Sequence, residues 1–174
     1  MARHCAEAGL AREAIQYLTK AGRQALERSA NAEAVGYLGK GLTLLETLPT
    51  GPERDAVELD LLVALGPPLI ATKGFTDPEV EKIYLRARVL CQGLGKTTPL
   101  VPVLVGLANI HLLRAELRQA RELGEECLTL AQHHDDPGVR MAAHRMLGST
   151  LHFLGEFPQA RAHLEQANAL RERY

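Results

Sequence analysis

Apolar residues recur along most of the chain at the three- and four-residue intervals of an amphipathic helix. The first such stretch brings Ile15, Leu18 and Leu26 to one face, and the polar break at Ser29–Asn31 follows it. Strand-like alternation of useful length is absent from the sequence. The pattern therefore predicts an all-α chain of about eight or nine helices joined by loops of about two to six residues.

Prolines and glycines predict where the later helices begin and end. They place helices at about residues 32–48, 53–71, 78–92, 102–114, 118–133, 138–154 and 159–173. Pro67 and Pro68 predict a kink or an early stop in the second of these, because proline lacks an N–H donor. Asp77 is expected to cap the helix that starts at Pro78. Residues 1–9 are expected to be the tail of a helix entering a turn, as in a fragment of a longer chain.

Three dipeptides recur inside helical stretches at intervals of 42 and 40 residues: Leu65-Gly66, Leu107-Ala108 and Leu147-Gly148. A second set of small residues recurs at intervals of 40: Ala87, Cys127 and Ala167. Ala21-Gly22 is an earlier echo, 44 residues before the first dipeptide, with irregular flanks. Such a period predicts stacked helical hairpins, and we expect them to form a single helical-repeat domain over residues 1–174.

The last hairpin resembles the tetratricopeptide repeat. Leu147-Gly148 corresponds to that family's Leu-Gly pair, Gly155 and Phe157 fit its turn, and the second helix fits at Ala160, Leu164 and Ala167. His144 and Leu151 depart from the family's aromatic positions, and the spacing of about 40 exceeds its 34 residues. The resemblance implies a right-handed solenoid of antiparallel helix hairpins.

A second resemblance, to the C-terminal repeat region of large bacterial predicted ATPases, rests on four stretches: residues 8–11, 25–31, 65–75 and 154–157. Those proteins often carry a nucleotide cyclase or a DNA-binding regulator domain in front of the ATPase module. The resemblance implies a bacterial signalling context, in which this chain is a regulatory domain without an ATPase or cyclase of its own.

Composition excludes several classes of partner. The 20 basic and 21 acidic residues give a net charge of -1, and aromatic residues make up only 4% of the chain, so we expect no nucleic-acid binding. We expect no membrane insertion, since no apolar run reaches the roughly 18 residues of a span. Three cysteines without a CxxC pair, and the absence of a signal-peptide core, favour the cytoplasm.

Two segments resemble ligand sites, and both are better explained without a ligand. Residues 93–98 (Gly-Leu-Gly-Lys-Thr-Thr) lack the first glycine of a phosphate loop, because Leu90 stands there, and they follow a predicted helix. His133, His134, Asp135 and Asp136 offer metal-binding donors, yet a solvated loop with a helix cap explains them better. We therefore predict no metal and no cofactor.

Histidine, hydroxyl and arginine side chains are further candidates for catalysis or ligand binding. His144 and His152 are expected to approach one face of a helix, where packing is a better explanation than a site. Ser149 and Thr150 lack the turn of a nucleophile, so we predict no enzymatic activity. Five arginines form either a carboxylate clamp or a solvated face paired with glutamates: Arg114, Arg118, Arg121, Arg140 and Arg145.

The repeat register predicts a concave groove lined by the first helix of each hairpin. Its predicted binding residues are Val105, Asn109, Leu112, Arg145, Ser149 and His152. Mixed apolar and polar walls suit an extended peptide or a partner helix, including one from another domain of the same parent chain. The predicted function is a non-enzymatic protein-binding or peptide-binding scaffold that regulates a larger signalling ATPase or cyclase. The alternatives are a small-ligand sensor with a pocket at Asn109, His111, His152 and Phe153, and a structural spacer that forms a homodimer through exposed terminal repeats.

Overall fold

A computed structural model shows an all-α chain. The structure describes residues 2–132 and 136–172, with side chains from Leu10 onward, and in these ranges it has helices and no strand. The described part contains eight helices: α1 (Ala2–Glu27), α2 (Asn31–Leu45), α3 (Pro52–Lys73), α4 (Pro78–Gly93), α5 (Leu100–Leu113), α6 (Leu117–Gln132), α7 (Pro137–Phe153) and α8 (Phe157–Arg171). The predicted fold of helical hairpins is confirmed.

Two expected interruptions are wrong. α1 continues through Gly9, where we expected a turn, because one glycine weakens a helix by only about 1 kcal/mol relative to alanine. α3 continues through Pro67 and Pro68 to Lys73, so the early stop is wrong, and the alternative of a kink stays a prediction. Its last turn includes the fully buried Leu69, so packing holds it in place, and the Thr72 hydroxyl donates to the Pro68 carbonyl at 2.9 Å.

The helices divide into two compact units. Unit 1 holds α1 to α4 and ends at Leu94, and unit 2 begins at Gly95 and holds α5 to α8. In each unit, consecutive helices pack against each other, and the first helix also contacts the third: α1 contacts α3, and α5 contacts α7. The single domain over residues 1–174 stays a prediction.

Small residues stand where the two helices of a hairpin come closest. An alanine Cβ at Gly22 would lie 2.6 Å from Leu38 Cγ, and one at Gly148 would lie 2.8 Å from Leu164 Cγ. Gly66 has the same relation to Tyr84, whose hydroxyl oxygen would be 2.6 Å away. The dipeptides therefore mark helix crossings, and Ala21-Gly22 belongs to the same repeat.

The α5–α6 hairpin departs from this arrangement. Its first helix carries the fully buried Ala108 at the dipeptide position. Sixteen residues later, where Leu38 and Leu164 follow Gly22 and Gly148, this hairpin has Gly124. A Cβ at Gly124 would lie 3.2 Å from Leu147 Cδ1, so this glycine gives α6 its close contact with α7.

Three turns inside the hairpins share one backbone arrangement. Ser29, Ala115 and Gly155 have φ of 58°, 59° and 79°, in the left-handed region. Each donates its N–H to the carbonyl three residues earlier, and the next residue donates to the carbonyl five residues before it. This pair of hydrogen bonds ends α1, α5 and α7 in the same way, and the chain then turns back into the partner helix.

The crossing at Gly22 predicts opposite effects for the same substitution at two sites. Gly22→Ala should destabilise the protein by about 1–3 kcal/mol, because buried Leu38 has no space into which to move. Gly36→Ala, in α2 with nothing within 4 Å of the new Cβ, should stabilise it by about 0.5–1 kcal/mol. Urea unfolding followed by circular dichroism measures both, and equal signs for the two variants would contradict the crossing.

The shared turn predicts a second pair of opposite effects. Ala115→Gly should stabilise unit 2 by about 0.5–1 kcal/mol, because a side chain in the left-handed region is unfavourable and glycine removes that cost. Gly155→Ala should destabilise it by about 1 kcal/mol for the same reason. The thermal unfolding midpoints report both changes, and a lower midpoint for Ala115→Gly would refute the explanation.

Candidate functional site

The predicted groove residues lie in two matching stripes on α5 and α7. The α5 stripe consists of Val105, Asn109 and Leu112. The α7 stripe occupies the same positions 40 residues later and consists of Arg145, Ser149 and His152. Spacings of four and three residues place each stripe along one side of its helix, and α5 contacts α7 directly.

The exposure of the two stripes differs. Arg145 and His152 are exposed, whereas Ser149 and the α5 residues are half-buried. The Asn109 amide nitrogen donates to the Val105 carbonyl at 2.9 Å, so one of its donors is used within α5. The α7 stripe therefore offers the more accessible charge.

A cleft lies between α1 and α3, the corresponding helices of unit 1. Its volume is about 580 Å³, and Thr19 and Arg23 contribute to its wall. These two residues stand 86 positions before Val105 and Asn109, at the same place in the repeat. Further walls come from Gln16, Lys20, Val57 and Asp60. The groove predicted on α5 and α7 does not include this cleft, and the position of Thr19 and Arg23 relative to Ala21-Gly22 is the sequence signal that locates it.

A second cavity of about 420 Å³ lies where the end of α2 and the first turn of α3 meet α1. Apolar side chains form part of its lining: Ile15, Leu45, Leu48 and Val57. Arg54 also lines it, and the Arg54 Nε is buried without a hydrogen-bond partner among the described residues. Arg12 Nη2 lies 3.3 Å from Glu53 Oε2, and both side chains are mostly exposed. The cavity thus combines apolar surface with cationic groups.

The two histidines expected on one face have different surroundings. His144 Nδ1 lies 3.0 Å from Nδ1 of His163 in α8, and the ring centroids are 5.2 Å apart. His152 is exposed at the other end of α7, with its ring 5.5 Å from that of Phe157 and 5.7 Å from that of Phe153. Eight residues separate their Cα atoms by about 12 Å along the helix axis, so the two rings have different neighbours, and a shared face stays a prediction.

Burial lowers the pKa of both histidines that meet. For His144, desolvation is the main cause, and the positive charges of His163 and Arg140 lower its pKa further. For His163, desolvation alone lowers the pKa. Both imidazoles are therefore neutral at pH 7.5, and each keeps one nitrogen lone pair.

The pocket expected around Asn109, His111, His152 and Phe153 is not supported by the surroundings of its residues. His111 Nδ1 lies 2.5 Å from Glu116 Oε2, so it is engaged near the end of α5. Phe153 is 65% exposed, and His152 is exposed beside it. His152 and Phe153 form part of the exposed surface at the α7–α8 turn, and Asn109 and His111 lie on α5.

Other candidate groups have local structural roles. The Thr150 hydroxyl is buried and donates to the Met146 carbonyl at 3.0 Å. Gly95 follows a helix and has φ of 63°, as expected for a glycine-rich helix stop. Arg121 bonds Glu125 at 2.9 Å and Glu156 at 2.7 Å, which matches a solvated, paired face.

The described residues contain neither a metal-binding cluster of three side chains nor a helix that could span a membrane. In that part of the chain, no three histidine, cysteine, aspartate or glutamate side chains converge on one point. His133, His134 and Asp135 of the predicted donor cluster lie outside it, and Asp136 accepts the Gly138 N–H at 2.8 Å as a helix cap. Within the same ranges, no helix combines the length and apolar character needed to cross a bilayer.

Comparisons with known proteins identify the fold and leave the family open. No family model matches the chain. An uncharacterized protein of Rhizobium meliloti (strain 1021) is 34% identical over 84 residues, which are 48% of this chain and 8% of that relative. The chain therefore matches a small part of a much longer protein.

One solved structure shares the architecture over nearly the whole chain. The crystal structure of BtubC (BKLC) from P. vanneervenii superposes on 99% of this chain and 89% of its own, with a TM-score of 0.60 and 14% identity. A kinesin light chain-like protein of Podosopora anserina with nearly identical TPR-like repeats covers 94% and 96%, with a TM-score of 0.44 and 16% identity. The superposition on BtubC supports an all-α fold of consecutive helical hairpins.

The buried Cys127 thiol predicts low chemical reactivity. Burial raises the pKa of the Cys127 thiol to about 12, and the negative charge of the Glu126 carboxylate contributes to this increase. At pH 8 only about one thiol in ten thousand is then a thiolate, the reactive form. Iodoacetamide followed by peptide mass spectrometry should leave Cys127 unmodified in the native chain and modify it in urea. Equal labelling rates in the two conditions would contradict this burial.

Proposed function

We propose that the chain is a non-enzymatic scaffold that binds a peptide or a helix of a partner protein. The binding surface is the side shared by the first and third helices of a unit. The cleft between α1 and α3 carries this proposal, because residues at the groove positions of the repeat, Thr19 and Arg23, line it.

The chemistry of this surface suits a polypeptide. In unit 1, the cleft presents the amide of Gln16, which can bond backbone groups, beside apolar Val57. The Thr19 hydroxyl donates to the Ile15 carbonyl at 2.8 Å, so its oxygen is available to accept a bond from a backbone N–H. Charges of both signs, Arg23 and Asp60, stand on opposite helices of the cleft. Such a surface would select a partner by its charge pattern as well as by its shape.

Unit 2 offers a similar composition on α5 and α7. Val105 and Leu112 supply apolar contact, Ser149 supplies a hydroxyl, and the exposed Arg145 can form two parallel bonds with a carboxylate. Either unit therefore has the side chains to hold a short acidic or mixed-charge segment.

The length of the Rhizobium relative supports a role inside a larger protein. The aligned region is a small part of that relative, as expected for one module of a multidomain chain. We propose that the module regulates a bacterial cytoplasmic signalling ATPase or cyclase, with a domain of the same parent chain as one partner. Binding or release would then shift the conformational equilibrium of the neighbouring domain.

The cavity of about 420 Å³ in unit 1 supports a second candidate, a small-ligand sensor. Its volume lies within the range of about 300–1,000 Å³ that ligand pockets occupy. The apolar lining together with Arg54 would suit a small apolar carboxylate. Binding of such a ligand would depend on Arg54 and would not require the neighbouring cleft.

Charge reversal on the proposed surface predicts loss of peptide binding. An array of overlapping 15-residue peptides from the parent chain is screened, and the dissociation constants of binders are measured by fluorescence polarisation. Arg23→Glu or Arg145→Glu should weaken binding about tenfold or more, equal to a loss of about 1.4 kcal/mol or more.

The matched control is Arg161→Glu, which reverses the same charge on the exposed face of α8. It should leave the dissociation constant unchanged. The proposal fails if the array contains no binder, or if binders respond to Arg161→Glu as strongly as to both groove variants. Binding of a small carboxylate that is lost only in Arg54→Gln would favour the sensor.

A further inference from the structure

The two histidines that meet between α7 and α8 have a spacing that suits a shared metal ion. Their Nδ1 atoms lie 3.0 Å apart. Zinc binds histidine nitrogen at about 2.0–2.1 Å, so two nitrogens on one tetrahedral ion stand about 3.3 Å apart. The present contact therefore becomes a pair of ligands if the two nitrogens separate by a few tenths of an ångström and each ring turns so that its Nδ1 points at the ion.

We propose that His144 and His163 form a two-histidine site for a divalent transition-metal ion that prefers imidazole, such as Zn²⁺ or Cu²⁺. Water molecules would complete the coordination sphere. The ion would link α7 to α8 and would be independent of peptide binding on the proposed surface.

The tautomers of the pair allow both rings to bind one ion. In the present contact, one Nδ1–H donates to the other Nδ1. On metal binding, the donor ring would carry its proton on Nε2 instead, so both Nδ1 lone pairs are available to the ion.

The repeat itself holds the two ligands in position. Gly148, four residues after His144, is the point of closest approach to Leu164, which directly follows His163. A Cβ at Gly148 would also lie 3.2 Å from the backbone oxygen of Ala160. The two helices are therefore packed against each other within one turn of the histidines, and the site needs little rearrangement to bind.

Arg140 opposes a cation at this site. It lies one turn before His144 on α7, and its positive charge lowers the pKa of His144. The Arg140 Nε is buried without a hydrogen-bond partner among the described residues. Removing this charge should therefore strengthen metal binding, whereas removing either histidine should weaken it.

The test is zinc titration of the full chain after treatment with a chelator, at pH 7.5, with isothermal calorimetry and urea unfolding as readouts. The unfolding midpoint of the wild type should rise with Zn²⁺ concentration, because only the folded hairpin brings the two ligands together. His144→Asn and His163→Asn should each bind Zn²⁺ about tenfold or more weakly, since a single imidazole then acts alone. Arg140→Gln should bind it several-fold more tightly.

The matched control is His152→Asn, which removes an exposed histidine from the same helix and should keep the wild-type affinity. Circular dichroism verifies that each variant is folded, and His163→Gln replaces His163→Asn if the latter is not. The proposal is overturned if the wild type shows no response to Zn²⁺. It is equally overturned if both histidine variants respond as the wild type does, which would place the metal on other histidines.

Discussion

Close contact between paired helices at a glycine organises three hairpins in the described part of this protein: α1–α2, α3–α4 and α7–α8. Gly22 faces Leu38, Gly66 faces Tyr84, and Gly148 faces Leu164. A Cβ added at any of these glycines would lie less than 3 Å from the partner side chain. The buried Leu38 and Tyr84 and the half-buried Leu164 fill the space that the glycines leave, and this complementarity sets which face of each helix is inward. The faces that remain outside are then available for other functions.

The proposed binding surface and the proposed metal site both depend on this arrangement. In α1, Thr19 lies three residues before Gly22 and Arg23 lies one residue after it. In α7, Arg145 and Ser149 have the same positions relative to Gly148. The residue four positions before Gly148 and the residue next to Leu164 are the two histidines that meet. One local contact thus determines the position of side chains on two different sides of the α7–α8 hairpin.

Local features of the fold could be predicted from the sequence, and long-range ones could not. Asp77 and Asp136 cap helices as Asp-Pro pairs commonly do, because the bond is made within two residues. The continuation of α3 past Pro67 and Pro68 depends on burial of Leu69 by other helices, which periodicity does not reveal. The His144–His163 contact joins residues 19 apart on two helices, and it follows from the register of Gly148 and Leu164 once that register is known. The cleft between α1 and α3 was overlooked because the flanks of Ala21-Gly22 are irregular.

The most direct test of the binding account is an amide chemical-shift map recorded by NMR with a peptide ligand from the parent chain. The account predicts that the largest shifts fall on the first and third helices of a unit, near Thr19 and Arg23 of α1 or near Arg145 and Ser149 of α7. Shifts concentrated on the outer faces of α2, α4, α6 or α8 would contradict it.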